Sequence, residues 1–137
     1  MNIYFACSIT GGREFEPVYQ AIIAALLADG HTIPTAHLAG SDVLALEAVA
    51  SPRAVYERDI AWISGCEALV AEVSTPSHGV GYEIAYALSI GKPVLCLHQA
   101  DQIISKMLSG NSHAHIQVNS YQNKQDAIAI MRSFLSR

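Results

Sequence analysis

The run Ala68-Leu-Val-Ala-Glu-Val73 constrains this chain more than any other stretch. It is apolar almost throughout rather than at alternate positions, so a strand there must be covered on both faces. Ser77-His-Gly-Val-Gly-Tyr-Glu83 follows, and residues 84–90 then read as a helix. A doubly covered strand that passes through a glycine-bearing turn into a helix is the building unit of a parallel α/β sheet.

The rest of the chain repeats that unit. Residues 3–7 read as a first strand. Residues 18–27 read as a helix, with Val18, Ile22, Ala25 and Leu26 at helical spacing and Asp29-Gly30 closing it. Residues 31–34 form a weak second strand that ends at Pro34, and Ser41-Asp42 caps a short helix over 43–48. Ser51-Pro52 opens a helix that runs to about residue 64 and stops at Gly65. Beyond the central strand lie a fourth strand (94–97), a short helix (103–108), a last strand (116–118) and a terminal helix (126–135). The pattern predicts an α/β fold in one domain over 1–137. Its core is a doubly wound, flavodoxin-like or Rossmann-like, five-stranded parallel sheet with helices on both faces. Such sheets bind ligands outside the carboxyl ends of their strands, at the point where strand order reverses. Loops 8–12, 35–37, 74–83 and 98–105 fall there.

Charge and composition narrow the partners. A net charge of −4 argues against a nucleic-acid polymer but leaves room for a single nucleotide in a local pocket. With 51% hydrophobic and 15% charged residues, disorder is excluded. No apolar run is long enough to span a bilayer, and Met1-Asn-Ile-Tyr-Phe5 lacks the basic start of a secretion signal. Cys7, Cys66 and Cys96 are odd in number and lack metal-ligand spacing, which points to buried thiols in a reducing cytoplasm. His37, His78, His98, His113 and His115 show no ligand spacing either, so neither metal nor cofactor is expected.

The candidate chemistry centres on the turn after the central strand. Ser77, Gly79 and Gly81 offer a hydroxyl and backbone N–H groups to an anion. Glu83 follows in or near the first helical turn, where the macrodipole favours its ionised form. If both touch one ligand, the substrate is phosphorylated and its reactive carbon lies a few ångströms from the phosphate. Asp59, in Tyr56-Glu-Arg-Asp-Ile-Ala-Trp62, sits next to Ile60, one position off the apolar stripe, within reach of a pocket rim. Paired carboxylates are the apparatus for cleaving a glycosidic bond. Glu57 and Arg58 read as a solvated face with local ion pairs. A buried Tyr4 would need a partner for its hydroxyl. Ser8, Thr10, Gly11, Gly12 and Arg13 form a possible second anion cradle, matching neither a Walker nor a dinucleotide fingerprint. Cys7 has no general base tied to it. The plain alternatives are a dipole-complementing Glu83, a core Tyr4 and a surface Arg13.

Taken together, Ile3-Tyr-Phe, the loop from Ser8 through Gly11-Gly-Arg-Glu14, Glu57-x-Asp59 with Trp62, Ala71-Glu-Val-Ser-x-Pro-Ser77, Gly79-Val-Gly-Tyr-Glu83, Gly91-Lys-Pro and Ser105-x-Met107 resemble the 2'-deoxynucleoside 5'-phosphate N-hydrolases of the nucleoside 2-deoxyribosyltransferase superfamily. The resemblance covers nearly the whole chain. It implies hydrolysis of a deoxynucleoside monophosphate to free base and 2-deoxyribose 5-phosphate. By this resemblance Glu83 is the nucleophile, Asp59 assists the departing base, and Tyr4 orients the nucleophile and crowds the 2' position. Ser77 binds phosphate. Cys7, Ser8, Ile9, Thr10, Gly11, Gly12 and Arg13 wrap phosphate and sugar, and Ile22 and His37 lie near the base. Ser105, followed by Met107, reaches the site of a neighbouring protomer, which implies a homodimer with shared sites. Thr10 stands where the family has a phosphate-holding arginine, a replacement expected to weaken that grip. Base exchange by a deoxyribosyltransferase and a non-catalytic nucleotide-binding module are the alternatives. The chain ends Phe134-Leu-Ser-Arg137 and offers no obvious terminal carboxylate of the transferase kind.

Overall fold

The computed structural model describes residues 1–137. Four strands, β1 (Ile3–Ala6), β2 (Ala68–Glu72), β3 (Val94–Gln99) and β4 (Ile116–Tyr121), lie side by side in that order and are parallel throughout. The helices are α1 (Glu16–Ala28), α2 (Val43–Ala48), α3 (Pro52–Gly65), α4 (His78–Ser89), α5 (Lys106–Ser109) and α6 (Lys124–Leu135), with a 3-10 turn at Ala36–Ala39. Ser51 caps α3 through the Ala54 N–H, and Asn123 caps α6 through the Asp126 N–H.

Side-chain alternation along the central strands sends residues to two cores. Ile3, Phe5, Ala68 and Val70 pack with Tyr19, Ile22 and Leu26 of α1 and Ala127 and Met131 of α6. Tyr4, Ala6, Leu69 and Ala71 pack with Ile63 of α3 and Ile84, Ala87 and Leu88 of α4. Every residue of β1 and β2 is buried, which explains why their sequences are apolar save for Glu72.

The expected second strand at 31–34 is not formed, so the sheet has four strands rather than five. Thr32 makes one isolated parallel bridge to Asn2 on the outer edge of β1. Pro34 has no N–H with which to extend it. The buried Thr35 hydroxyl does the work of a further ladder pair: it accepts from the Phe5 N–H at 3.0 Å and donates to the Phe5 carbonyl at 2.8 Å. The chain nonetheless reverses here. α1 covers one face and α3 the other, so the carboxyl ends of β1 and β2 open a crevice between them.

Two other expectations need correction. The helix placed at 103–108 is only the single turn Lys106–Ser109, capped by Ser105, and Ile103 is 96% exposed. The helix placed at 84–90 begins six residues earlier, at His78, with Ser77 as its cap. Glu72, inside the apolar run, is fully buried. It accepts hydrogen bonds from the Ser74 N–H at 2.6 Å, the Ser74 hydroxyl at 3.0 Å and the Tyr121 hydroxyl. The Gln99 N–H in turn donates to Ser74 Oγ at 2.8 Å, so one carboxylate ties together the ends of β2, β3 and β4. Burial pushes its carboxyl upward, and the bonds from Tyr121 and Ser74 pull back.

Candidate active site

A cavity of about 560 Å³ opens at the crevice beyond β1 and β2. The loop after β1 contributes Cys7, Ile9 and Thr10; the start of α4 contributes Ser77, Gly79 and Glu83; α2 and α3 contribute Glu47, Tyr56 and Asp59. The two carboxylates singled out by sequence therefore face one space, from helices that pack against each other.

Tyr4 and Glu83 meet because both lie on the same side of the sheet. Tyr4 is fully buried in β1, and its hydroxyl donates to Glu83 Oε2. Glu83 lies in the second turn of α4, since no acidic residue occupies the first. The macrodipole thus contributes less to ionising it than the sequence suggested. Burial instead pushes its carboxyl up to about 8. Donation from Tyr4 favours the ionised form and opposes that push. Gly79 and Gly81 keep the first turn of α4 bare. A Cβ at Gly81 would meet nothing within 4 Å, and one at Gly79 would come no nearer than 3.9 Å to Ser77 Oγ. Ser77 Oγ accepts from the Val80 N–H at 3.3 Å, and the N–H groups before it remain for an anion.

Asp59 Oδ1 accepts from Arg58 Nε at 2.9 Å. Burial raises the Asp59 carboxyl, against the pull of the adjacent guanidinium. Arg58 makes the local ion pairs expected from sequence, but it is partly buried rather than freely solvated. It also pairs with Glu47 Oε1 at 3.0 Å, and its guanidinium lies 4.8 Å from the centroid of the Trp62 ring. Glu47 was missed: it falls in the stretch before Ser51, where no pattern distinguishes one acid from another. Tyr56 and Tyr82 also line the cavity; Tyr56 reads only as a helix residue, and Tyr82 stands in the turn before the expected helix with no role of its own.

The loop after β1 is built by its glycines and by Arg13. A Cβ on Gly11 would sit 2.5 Å from the Pro76 carbonyl oxygen, and Gly12 has φ +125°, so the loop packs tightly on the segment after β2. Arg13 donates to the Ser8 carbonyl at 2.9 Å and the Gly40 carbonyl at 2.9 Å, and pairs with Glu16 at 2.9 Å. Its guanidinium thus fastens the loop rather than facing the cavity. Ser8 is buried, with no partner for its hydroxyl. Burial pushes the Cys7 thiol up to about 12, which leaves it protonated and inert at neutral pH.

Several expected residues lie elsewhere. Ile22 is fully buried on the opposite face of the sheet, in the α1 core, because its helix covers that face. His37 stands behind the cavity wall, with Nε2 3.2 Å from Glu47 Oε1 and its ring edge-on to Trp62. Ser105 and Met107 line a second groove of about 750 Å³ on the other side of Ser77 and do not reach the cavity of their own chain. No helix is long and apolar enough to cross a membrane.

A family model described as nucleoside 2-deoxyribosyltransferase matches residues 3–128. The chain belongs to the nucleoside 2-deoxyribosyltransferase family. Within that family, a Methanococcoides burtonii protein named "Putative 2'-deoxynucleoside 5'-phosphate N-hydrolase 1" is 42% identical over 118 residues, covering 86% of this chain and 97% of its own. The 5-hydroxymethyl-dUMP N-hydrolase of Mus musculus is 36% identical over 138 residues, covering 97% of this chain and 79% of its own. The solved structure of a CMP N-glycosidase from Clostridium botulinum superposes with a TM-score of 0.69 over 95% of this chain and 98% of its own. At 15% identity that likeness concerns the fold alone.

Proposed function

We propose that this single-domain protein is an N-glycosidase that hydrolyses 2'-deoxynucleoside 5'-monophosphates to free base and 2-deoxyribose 5-phosphate. The observation that carries the reading is the Tyr4 hydroxyl on Glu83 in a cavity that Asp59 enters from the opposite helix. The names of the relatives support the same reaction.

In the proposed reaction the phosphate sits at the bare start of α4, against Ser77 and the loop of Thr10 and Gly11. Its binding energy then holds the anomeric carbon over Glu83. Ionised Glu83 attacks that carbon. The carbon–nitrogen bond breaks, its electron pair leaves with the base, and Asp59 supplies a proton to the departing nitrogen. Water, deprotonated by Asp59, then attacks the same carbon and displaces the Glu83 carboxylate, giving the sugar phosphate. Tyr4 steadies the nucleophile and fills space beneath the 2' position. Ser105 lies outside its own cavity and is flanked by the exposed Ile103 and Met107, which supports a homodimer in which Ser105 serves the partner's site.

The test is a panel of deoxy- and ribonucleoside monophosphates and unphosphorylated deoxynucleosides, scored for released base with and without an acceptor base. Release of base from deoxynucleoside monophosphates without an acceptor supports hydrolysis. Turnover only with an acceptor overturns it in favour of transfer, and no cleavage of any nucleotide favours a binding module.

A further inference from the structure

Neighbouring residues on a helix do not face each other, yet Arg58 bends back onto Asp59. Three contacts hold it there. Trp62, one turn on along α3, lies under the guanidinium at 4.8 Å. Glu47, from α2, takes Nη2 at 3.0 Å. Asp59 itself takes Nε at 2.9 Å. Glu47 is in turn held by His37 at 3.2 Å, and the His37 ring stands edge-on to Trp62, so the cluster closes on itself. One oxygen of Asp59 is therefore pinned, and the other has no partner in the protein. Both Glu47 and Asp59 line the cavity.

Resting on the hydrolase reading, we propose that Arg58 is a positioning residue for leaving-group assistance: clamped by Glu47 and Trp62, it pins Asp59 Oδ1 so that Oδ2 is presented to the departing base. A planar guanidinium suits the task because its fork reaches two carboxylates at fixed angles while its face stacks on an indole. A lysine has one point of charge and no such fork.

The experiment compares two substrates of the same enzyme: a deoxynucleoside monophosphate, whose base needs assistance to leave, and 4-nitrophenyl 2-deoxyribose 5-phosphate, whose leaving group does not. Misplacing Asp59 forfeits part of a general acid's contribution, so Arg58→Met should lower kcat/KM on the nucleotide about 10–100-fold. It should change kcat/KM for the nitrophenyl substrate less than about threefold, because that ratio reports cleavage of the bond to the leaving group and not the later attack of water activated by Asp59, with Arg58→Lys intermediate on the nucleotide. The second measurement follows the Asp59 carboxyl carbon by NMR during a pH titration. Asp59 is faced by Arg58 on its own helix, Glu47 from α2 and His37 from the 3-10 turn, with Glu83 across the cavity. Removing the guanidinium should move its midpoint up, and Glu47→Gln should move it down, because that change removes a negative charge and frees Arg58 for Asp59 alone. Equal loss on both substrates, or midpoints that do not move in opposite directions, overturns the proposal. Failure of the unsubstituted protein to cleave either substrate would instead overturn the hydrolase reading.

Discussion

Replacing Glu83, the proposed nucleophile, should stabilise this protein. Glu83 has its carboxyl pushed by burial from an ordinary 4.5 up to about 8, so the folded state holds a proton that the unfolded chain has released by neutral pH. The folded state binds more protons than the unfolded one between these values, so stability contributed by this group is complete below 4.5 and is lost as pH rises towards 8. At pH 7 the loss is about 1.36 kcal/mol for each of 2.5 pH units, or about 3 kcal/mol, and it levels off near 5 kcal/mol above pH 8. Donation from Tyr4 to the ionised form offsets part of this, so both figures are upper values. Glutamine keeps an acceptor for Tyr4 and carries no proton to lose. Glu83→Gln should therefore abolish turnover and raise the melting temperature at pH 7 by up to roughly 10 °C. Urea or thermal unfolding of both proteins from pH 5 to pH 9 measures the difference. It should be small at pH 5 and grow with pH. A pH-independent difference, or a variant less stable at pH 8, would refute the reasoning.

Tyr4→Phe should cost about 10–100-fold in kcat and move the acid limb of the pH–rate profile upward, because the ionised form of Glu83 loses its donor. Thr10→Arg places a cation on the cavity loop; KM for a monophosphate should fall about tenfold with kcat little changed, and an unphosphorylated deoxynucleoside should show no gain. Gly11→Ala drives a methyl to within 2.5 Å of the Pro76 carbonyl and should lower stability by about 1–3 kcal/mol, read by urea unfolding.

Periodicity and end signals made most of the architecture legible. The doubly apolar runs, Ser51-Pro52 and Gly65 marked elements that rest on local physics, namely two-sided burial, a side-chain cap and a helix stop. The 31–34 strand failed because a single bridge and the Thr35 hydroxyl satisfy the edge of β1, a tertiary substitution with no local pattern. Glu83 and Asp59 could be singled out because their neighbours, glycines in one case and an apolar stripe in the other, carried information. Arg58 and Glu47 could not: their importance comes from the meeting of α2 and α3, and each reads locally as a surface charge. Ile22 shows the reverse limit, since an apolar helix position reads alike whether it meets a ligand or the far face of a sheet.

Cleavage in the presence of methanol tests the central claim most directly. If Glu83 attacks the anomeric carbon and is then displaced, two inversions return the starting configuration, and the methyl 2-deoxyriboside 5-phosphate formed must be the β anomer. The α anomer would mean a single displacement by solvent and would contradict the account.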